Sequence, residues 1–235
     1  MFVYNLIARR IARAGVVVLA GVAIGCSVAA QAPKPLFKHT EVIPKDAIVL
    51  FDGKSLSKWV NESPGKPVGW KIEKGYAQVR GGSIVTKQQF TDYQLHVEFW
   101  LPLMPSNGGQ ARANSGVFMI GAYEIQVLDS YGFGLKKNGC GSIYSVKAAD
   151  VNACRPPQTW QTFDIFFHAP KFDASGKKIA NARVSVLQNG IWIHDNEEIP
   201  FPTAAHKDPD VAKGPINIQD HGDPIRYRNI WIRPL

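Results

Sequence analysis

Apolar and polar residues alternate in short runs along most of this chain, the period-two signature of strands buried on one face. The pattern is clearest from Tyr93 to Trp100. There Tyr93, Leu95, Val97 and Phe99 fall on one side, and Gln94, His96, Glu98 and Trp100 on the other. Similar runs predict strands over Ile48–Phe51, Trp70–Glu73, Tyr76–Val79, Ile84–Thr86, Tyr93–Leu101, Ser115–Ile120, Tyr123–Leu128, Thr162–His168, Ala182–Leu187, Ile191–Asp195, Ile216–Asp220 and Ile225–Ile232. Asn189-Gly190 between two of these runs predicts a hairpin, because Asn-Gly supplies the positive φ of a type I′ turn. No helical period is sustained. Helices are expected only as single turns, at Ser55–Trp59 and near Ala148–Asn152. Many short strands separated by Gly and Pro turns predict an all-β fold, a jelly roll or related β-sandwich.

The N-terminus follows a different pattern. Arg9, Arg10 and Arg13 precede an apolar run from Ala14 to Ile24, and small residues follow. This reads as an export signal over residues 1–30, cleaved before Gln31, with a periplasmic or secreted destination. The run is short and rich in Gly and Ala compared with the ~20 residues of a membrane span, so no transmembrane span is expected in the mature protein. Lipid attachment at Cys26 is one alternative, since Ala23-Ile24-Gly25-Cys26 loosely resembles a lipobox; a retained anchor is another. Residues 31–45, rich in Pro and Lys, read as an extended leader, and 46–235 as one domain.

Export changes the meaning of the cysteines. Cys140 and Cys154 remain in the mature chain, and an even pair in an oxidising compartment predicts a disulfide, with two separate thiols as the alternative. No Cys-x-x-Cys or neighbouring His pair suggests a metal site built from them. The formal charge is +8, and without the three arginines of the export segment it is +5. The remaining Lys and Arg are scattered, which argues against nucleic acid as a partner.

Candidate chemistry lies on two strand patterns. Glu124 and Gln126 alternate with Tyr123, Ile125 and Val127; Asn217, Gln219 and His221 alternate with Ile216 and Ile218. A sheet face carrying a Glu, a His and several amides suits a sugar. Glu124 is a candidate base or metal ligand, with a surface ion pair as the alternative. Asp129 stands at a strand end, as either a site residue or a turn cap. His221 can serve as acid, base or ligand. Trp100 shares its face with polar residues and is the candidate stacking platform. No Gly-x-Ser-x-Gly, His-Glu-x-x-His or Walker pattern occurs.

Several motifs in order carry a resemblance. They are Leu50-Phe51-Asp52-Gly53-Lys54-Ser55-Leu56 with Trp59, Asn114-Ser115-Gly116, Tyr123-Glu124-Ile125-Gln126-Val127-Leu128-Asp129, Gly141-Ser142-Ile143-Tyr144, Trp160-Gln161-Thr162-Phe163, Asn189-Gly190, Gln219-Asp220-His221-Gly222 and Arg228-Asn229-Ile230. Together they resemble the bacterial 3-keto-disaccharide hydrolase domain over about residues 46 to 235. Phe163 stands where that family more often has Tyr. The resemblance implies a concanavalin A-like jelly roll, export, and action on glycosides oxidised at C3. It also implies a separate sugar 3-dehydrogenase that supplies them. On this reading Glu124, His221 and Asp129 are the catalytic candidates. Asn114, Gln126, Tyr144, Gln219, Trp100 and Arg228 are the substrate-binding candidates.

The chemistry has its own logic. A C3 ketone acidifies the C2 proton, the enolate expels the C1 oxygen, and water adds at C1. The route needs a base, an acid and a group that holds the enolate oxygen. An amide, an Arg or a divalent metal could hold it. A direct glycoside hydrolase using Glu124 and Asp129 is a second enzyme reading, although the two point to opposite faces of one strand. A non-catalytic sugar-binding module and a structural envelope protein are readings from other classes.

Overall fold

The structure, a computed structural model, describes residues 43–203 and 210–235. The expected export signal, Cys26 and most of the leader lie outside the described residues. Among the described residues fifteen strands form in chain order. They are β1 (Ile48–Phe51), β2 (Trp59–Asn61), β3 (Lys71–Glu73), β4 (Tyr76–Gln78), β5 (Ile84–Thr86), β6 (Tyr93–Trp100), β7 (Ser115–Met119) and β8 (Tyr123–Val127). The series continues with β9 (Trp160–His168), β10 (Lys171–Phe172), β11 (Lys178–Ala180), β12 (Ala182–Gln188), β13 (Ile191–Ile199), β14 (Asn217–Ile218) and β15 (Arg226–Pro234).

The strands form two main antiparallel sheets. An eight-stranded sheet runs β13-β12-β9-β6-β15-β4-β3, with β1 also paired to β15. A five-stranded sheet runs β2-β5-β14-β7-β8. Alternation decides what lies between them. Tyr93, Leu95, Val97 and Phe99 of β6 are fully buried, as are Val117 and Met119 of β7 and Tyr123, Ile125 and Val127 of β8, all in one core. Burying each of the large side chains is worth about 1.5–3 kcal/mol. The Tyr227 hydroxyl reaches from β15 across the layer and donates to Ser115 Oγ at 2.7 Å. This is the expected all-β jelly-roll sandwich. The Asn189-Gly190 turn has φ of 54° and 80° and joins β12 to β13 as the sequence predicts.

The two expected helical turns differ. Ser55–Trp59 is a turn leading into β2 rather than a helical turn, because Trp59 is buried and its indole nitrogen donates to Leu50 O at 2.9 Å. Ala148–Asn152 is irregular, held by Asp150 N donating to Ile193 O at 3.0 Å. A 3-10 turn instead occurs at Gly109–Ala111.

The disulfide expected between Cys140 and Cys154 is not formed: both are buried free thiols. The Gln188 amide nitrogen lies 3.5 Å from the Cys140 sulfur and 3.4 Å from the Cys154 sulfur and donates to both.

Candidate active site

The outer face of the five-stranded sheet carries the residues that the core rejects. On β8, Glu124 and Gln126 point outward because Tyr123, Ile125 and Val127 point in. Opposite them on β7 stand Phe118 and Gly116, paired in register with Glu124 and Gln126 respectively. Gly116 clears space for the acid. A Cβ there would overlap Glu124 Oε1 and lie 3.0 Å from Glu124 Cδ and 2.9 Å from Phe118 Cε2.

Neighbouring segments zip onto this sheet and bring further groups with them. The loop after Gly139 pairs with the free edge of β8: Gly141 N donates to Gln126 O at 2.8 Å, Gln126 N to Ser142 O at 3.0 Å, and Tyr144 N to Glu124 O at 3.1 Å. This places Tyr144 and Ser145 beside Glu124. On the other side, Gln219 N donates to Gly116 O at 3.0 Å and Ser115 Oγ donates to Gln219 O at 2.7 Å. These bonds carry the strand pairing past β14 toward His221. The Asp220 carboxylate accepts from Gly82 N and Gly222 N, and the Asp223 carboxylate accepts from Asn114 N. Both carboxylates hold backbone.

The result is a pocket of about 300 Å³ lined by Gln110, Asn114, Glu124, Gln126, Tyr144, Ser145, Gln219 and His221. Glu124 is 3 % exposed. Its backbone N–H donates to Thr203 Oγ1 at 2.6 Å, and among the described residues its carboxyl has no charged or hydrogen-bonding partner. Burial therefore disfavours the ionised form and pushes its pKa up from 4.5 to about 8. At neutral pH the group is largely a neutral acid that can donate a proton. His221 stands exposed at the rim. The amide oxygens Asn114 Oδ1 and Gln126 Oε1 are buried and have no hydrogen-bond partner in the structure.

Six of the nine catalytic and substrate-binding candidates named from the sequence line this pocket: Asn114, Glu124, Gln126, Tyr144, Gln219 and His221. Three lie elsewhere. The Asp129 carboxylate is sealed against Arg112, whose Nε donates to Oδ2 at 2.6 Å. Trp100 and Arg228 belong to the outer face of the eight-stranded sheet, across the core from Glu124. There Trp100 stacks under Arg226 at 4.1 Å; Arg228 covers Trp160 at 4.1 Å and donates to Glu98 at 2.6 Å. His96 and Glu98 share that face. Their alternation matches that of Glu124, so strand pattern alone could not separate the two sheets.

Gln110 and Ser145 were not among the sequence candidates. Gln110 sits in the 3-10 turn after two glycines, with no strand period to mark it; its one signal is that it lies four residues before Asn114. Among the described residues no three His, Cys, Asp or Glu side chains gather as a metal group. Among those residues no helix is long and apolar enough to cross a membrane.

The fold and the pocket define an all-β sandwich with a polar, sugar-sized site on one sheet face. Residues 46–233 match the family described as the 3-keto-alpha-glucoside-1,2-lyase-like domain, and the chain belongs to that family. It is 24% identical to a 3-keto-disaccharide hydrolase of Bacteroides thetaiotaomicron, with 82% of this chain and 81% of that protein covered. A solved structure of a proposed glycosyl hydrolase from Parabacteroides distasonis is 35% identical and superposes with a TM-score of 0.77, covering 93% of this chain and 100% of that one. A second proposed glycosyl hydrolase from that organism, 19% identical with a TM-score of 0.63 over 83% and 98% of the two chains, shares the fold.

Proposed function

We propose that the protein cleaves the glycosidic bond of 3-keto-glycosides or 3-keto-disaccharides in the Glu124 pocket, by elimination across C1 and C2 followed by hydration. The observation that carries this reading is a buried, predominantly neutral Glu124 carboxyl in a pocket that His221 also lines, with no second free carboxylate in the lining. A hydrolase that works by two carboxylates needs a partner for Glu124. Asp129 is bound to Arg112, and Asp220 and Asp223 hold backbone amides. An elimination needs only one acid and one base.

The roles follow from the environments. His221 takes the C2 proton, made acidic by the adjacent C3 ketone. The electron pair forms the C1–C2 double bond and expels the C1 oxygen, which Glu124 protonates as it leaves. Glu124, now ionised, takes a proton from water as its oxygen adds to C1; protonated His221 returns a proton to C2. The sum is hydrolysis. The family description names a lyase and the Bacteroides relative is named a hydrolase. The two activities differ only in whether water adds before release. Asn114, Gln126, Gln219 and Tyr144 surround the ring. An oxidoreductase must first supply the C3 ketone, and the basic, apolar N-terminus supports locating the step outside the cytoplasm.

The test is incubation of the protein with a 3-keto-disaccharide in D₂O, with and without EDTA, followed by NMR. Cleavage with deuterium at C2 is expected, lost in Glu124→Gln and in His221→Ala. Near-normal turnover by both variants would remove this site from the reaction. Saturable binding without product would favour the sugar-binding module.

A further inference from the structure

The amides of this pocket are arranged in an ordered relay. A side-chain amide has two ends of nearly the same shape, and only its neighbours decide which end points where. Here the neighbours are backbone carbonyls, which can only accept. Gln110 Nε2 lies 2.8 Å from Asn138 O, so that end must be the NH₂ and Gln110 Oε1 must point the other way. Gln126 Nε2 then donates to Gln110 Oε1 at 2.9 Å. Asn114 Nδ2 donates to the Gln110 backbone carbonyl at 2.7 Å and lies 3.4 Å from Gln110 Oε1. Both NH₂ groups are thereby used inside the wall. The opposite ends, Asn114 Oδ1 and Gln126 Oε1, are left as two buried acceptors without a partner.

The rest of the lining offers an anion no fixed cation. It contains no Lys or Arg, and nearby Arg112 is committed to Asp129. An anion entering here would face two carbonyl oxygens and the Glu124 carboxyl, with only the rim His221 as a possible cation. A neutral sugar ring would bring hydroxyl donors to the same oxygens and remove their unpaired state.

We infer that Gln110 is a positioning residue that sets this pocket as hydrogen-bond accepting, so that the site selects neutral, hydroxyl-donating sugar rings and rejects uronate and phosphorylated ones. This deepens the proposed function and rests on its choice of pocket, but it requires no turnover.

The experiment is saturation-transfer NMR on the full protein with methyl α-glucoside and methyl α-glucuronide as probes, giving the ratio of their dissociation constants. Wild type is expected to bind the glucoside at least about tenfold more tightly. Gln110→Leu removes both the anchor and the acceptor, so Gln126 can turn, while Asn114 keeps its bond to the backbone carbonyl at position 110. Its selectivity should fall below about threefold, mainly through loss of glucoside affinity. Gln110→Ala removes the same side-chain amide with a smaller apolar group, and its selectivity should also fall below about threefold. Circular dichroism and melting curves check that both variants fold, and the alanine variant carries the test if the leucine variant does not. Equal or preferred binding of the glucuronide by wild type, an unchanged ratio in Gln110→Leu, or no binding of either probe would overturn the inference. Selective binding together with no cleavage of a 3-keto-disaccharide would uphold the inference while refuting the hydrolase reading.

Discussion

Replacing Glu124 by Gln isolates the cost of burying an ionisable group in this pocket. The two side chains are nearly the same size, so the difference between the proteins is chiefly that the amide cannot ionise. In the folded state the carboxyl titrates at about 8 because of burial, against an ordinary value of 4.5. A raised folded-state pKa means that the native protein holds the proton when the unfolded chain has lost it. The contribution to stability is therefore complete below the unfolded pKa and falls as pH rises through the folded one. At 1.36 kcal/mol per unit, the wild-type penalty is about 1 kcal/mol at pH 5 and about 4 kcal/mol at pH 8. The uncharged amide of the variant carries no such penalty. The stability difference between Glu124→Gln and wild type should thus grow in favour of the variant by about 3 kcal/mol between these pH values. In urea unfolding this is a relative midpoint shift of about 1–2 M. Every other titrating group is common to both proteins and cancels. Parallel stability profiles, with a difference constant to within about 0.5 kcal/mol, would refute the assignment of Glu124 as a buried neutral acid. The same variant should lose at least about 10²-fold in turnover, since an amide cannot deliver the proton. Wild-type turnover should decline as pH rises through about 8, where the acid form is lost.

Gly116→Ala inserts a methyl group 3.0 Å from Glu124 Cδ and 2.9 Å from Phe118 Cε2; displacement of the carboxyl should lower kcat by about 10²-fold, with about 1–3 kcal/mol of strain seen in urea unfolding. Asp129→Asn should leave kcat within about threefold, because Asp129 is outside the pocket, whereas a two-carboxylate hydrolase would lose about 10²-fold or more. Arg112→Ala should destabilise the fold by about 3–5 kcal/mol, because it strands the Asp129 carboxylate, whose side chain is 0% exposed; an unchanged urea midpoint would show that the ion pair does not hold this strand end.

By itself the sequence determined the fold class and the face on which each strand side chain lies. Both follow from local rules: strand alternation, turn chemistry at Asn189-Gly190, and the number of short strands. Glu124 and Gln126 share a face because their neighbours are apolar, and that needs no knowledge of the rest of the molecule. Which faces meet is a different question, decided by sheet order and strand registry. Trp100 and Arg228 obey the same alternation as Glu124 yet lie on the other sheet, because β6 and β15 are central to the eight-stranded layer while β7 and β8 belong to the five-stranded one. Asp129 reads from sequence like any strand-end carboxylate. Only Arg112, brought alongside by the fold, removes it from the pocket. Gln110 has no period or motif to announce it. Its influence on the amide of Gln126 comes from a loop carbonyl at Asn138 that is far away along the chain and adjacent in space. Local periodicity dictates the direction of a side chain. Its partners and charge state depend on long-range packing, which no short window of sequence contains.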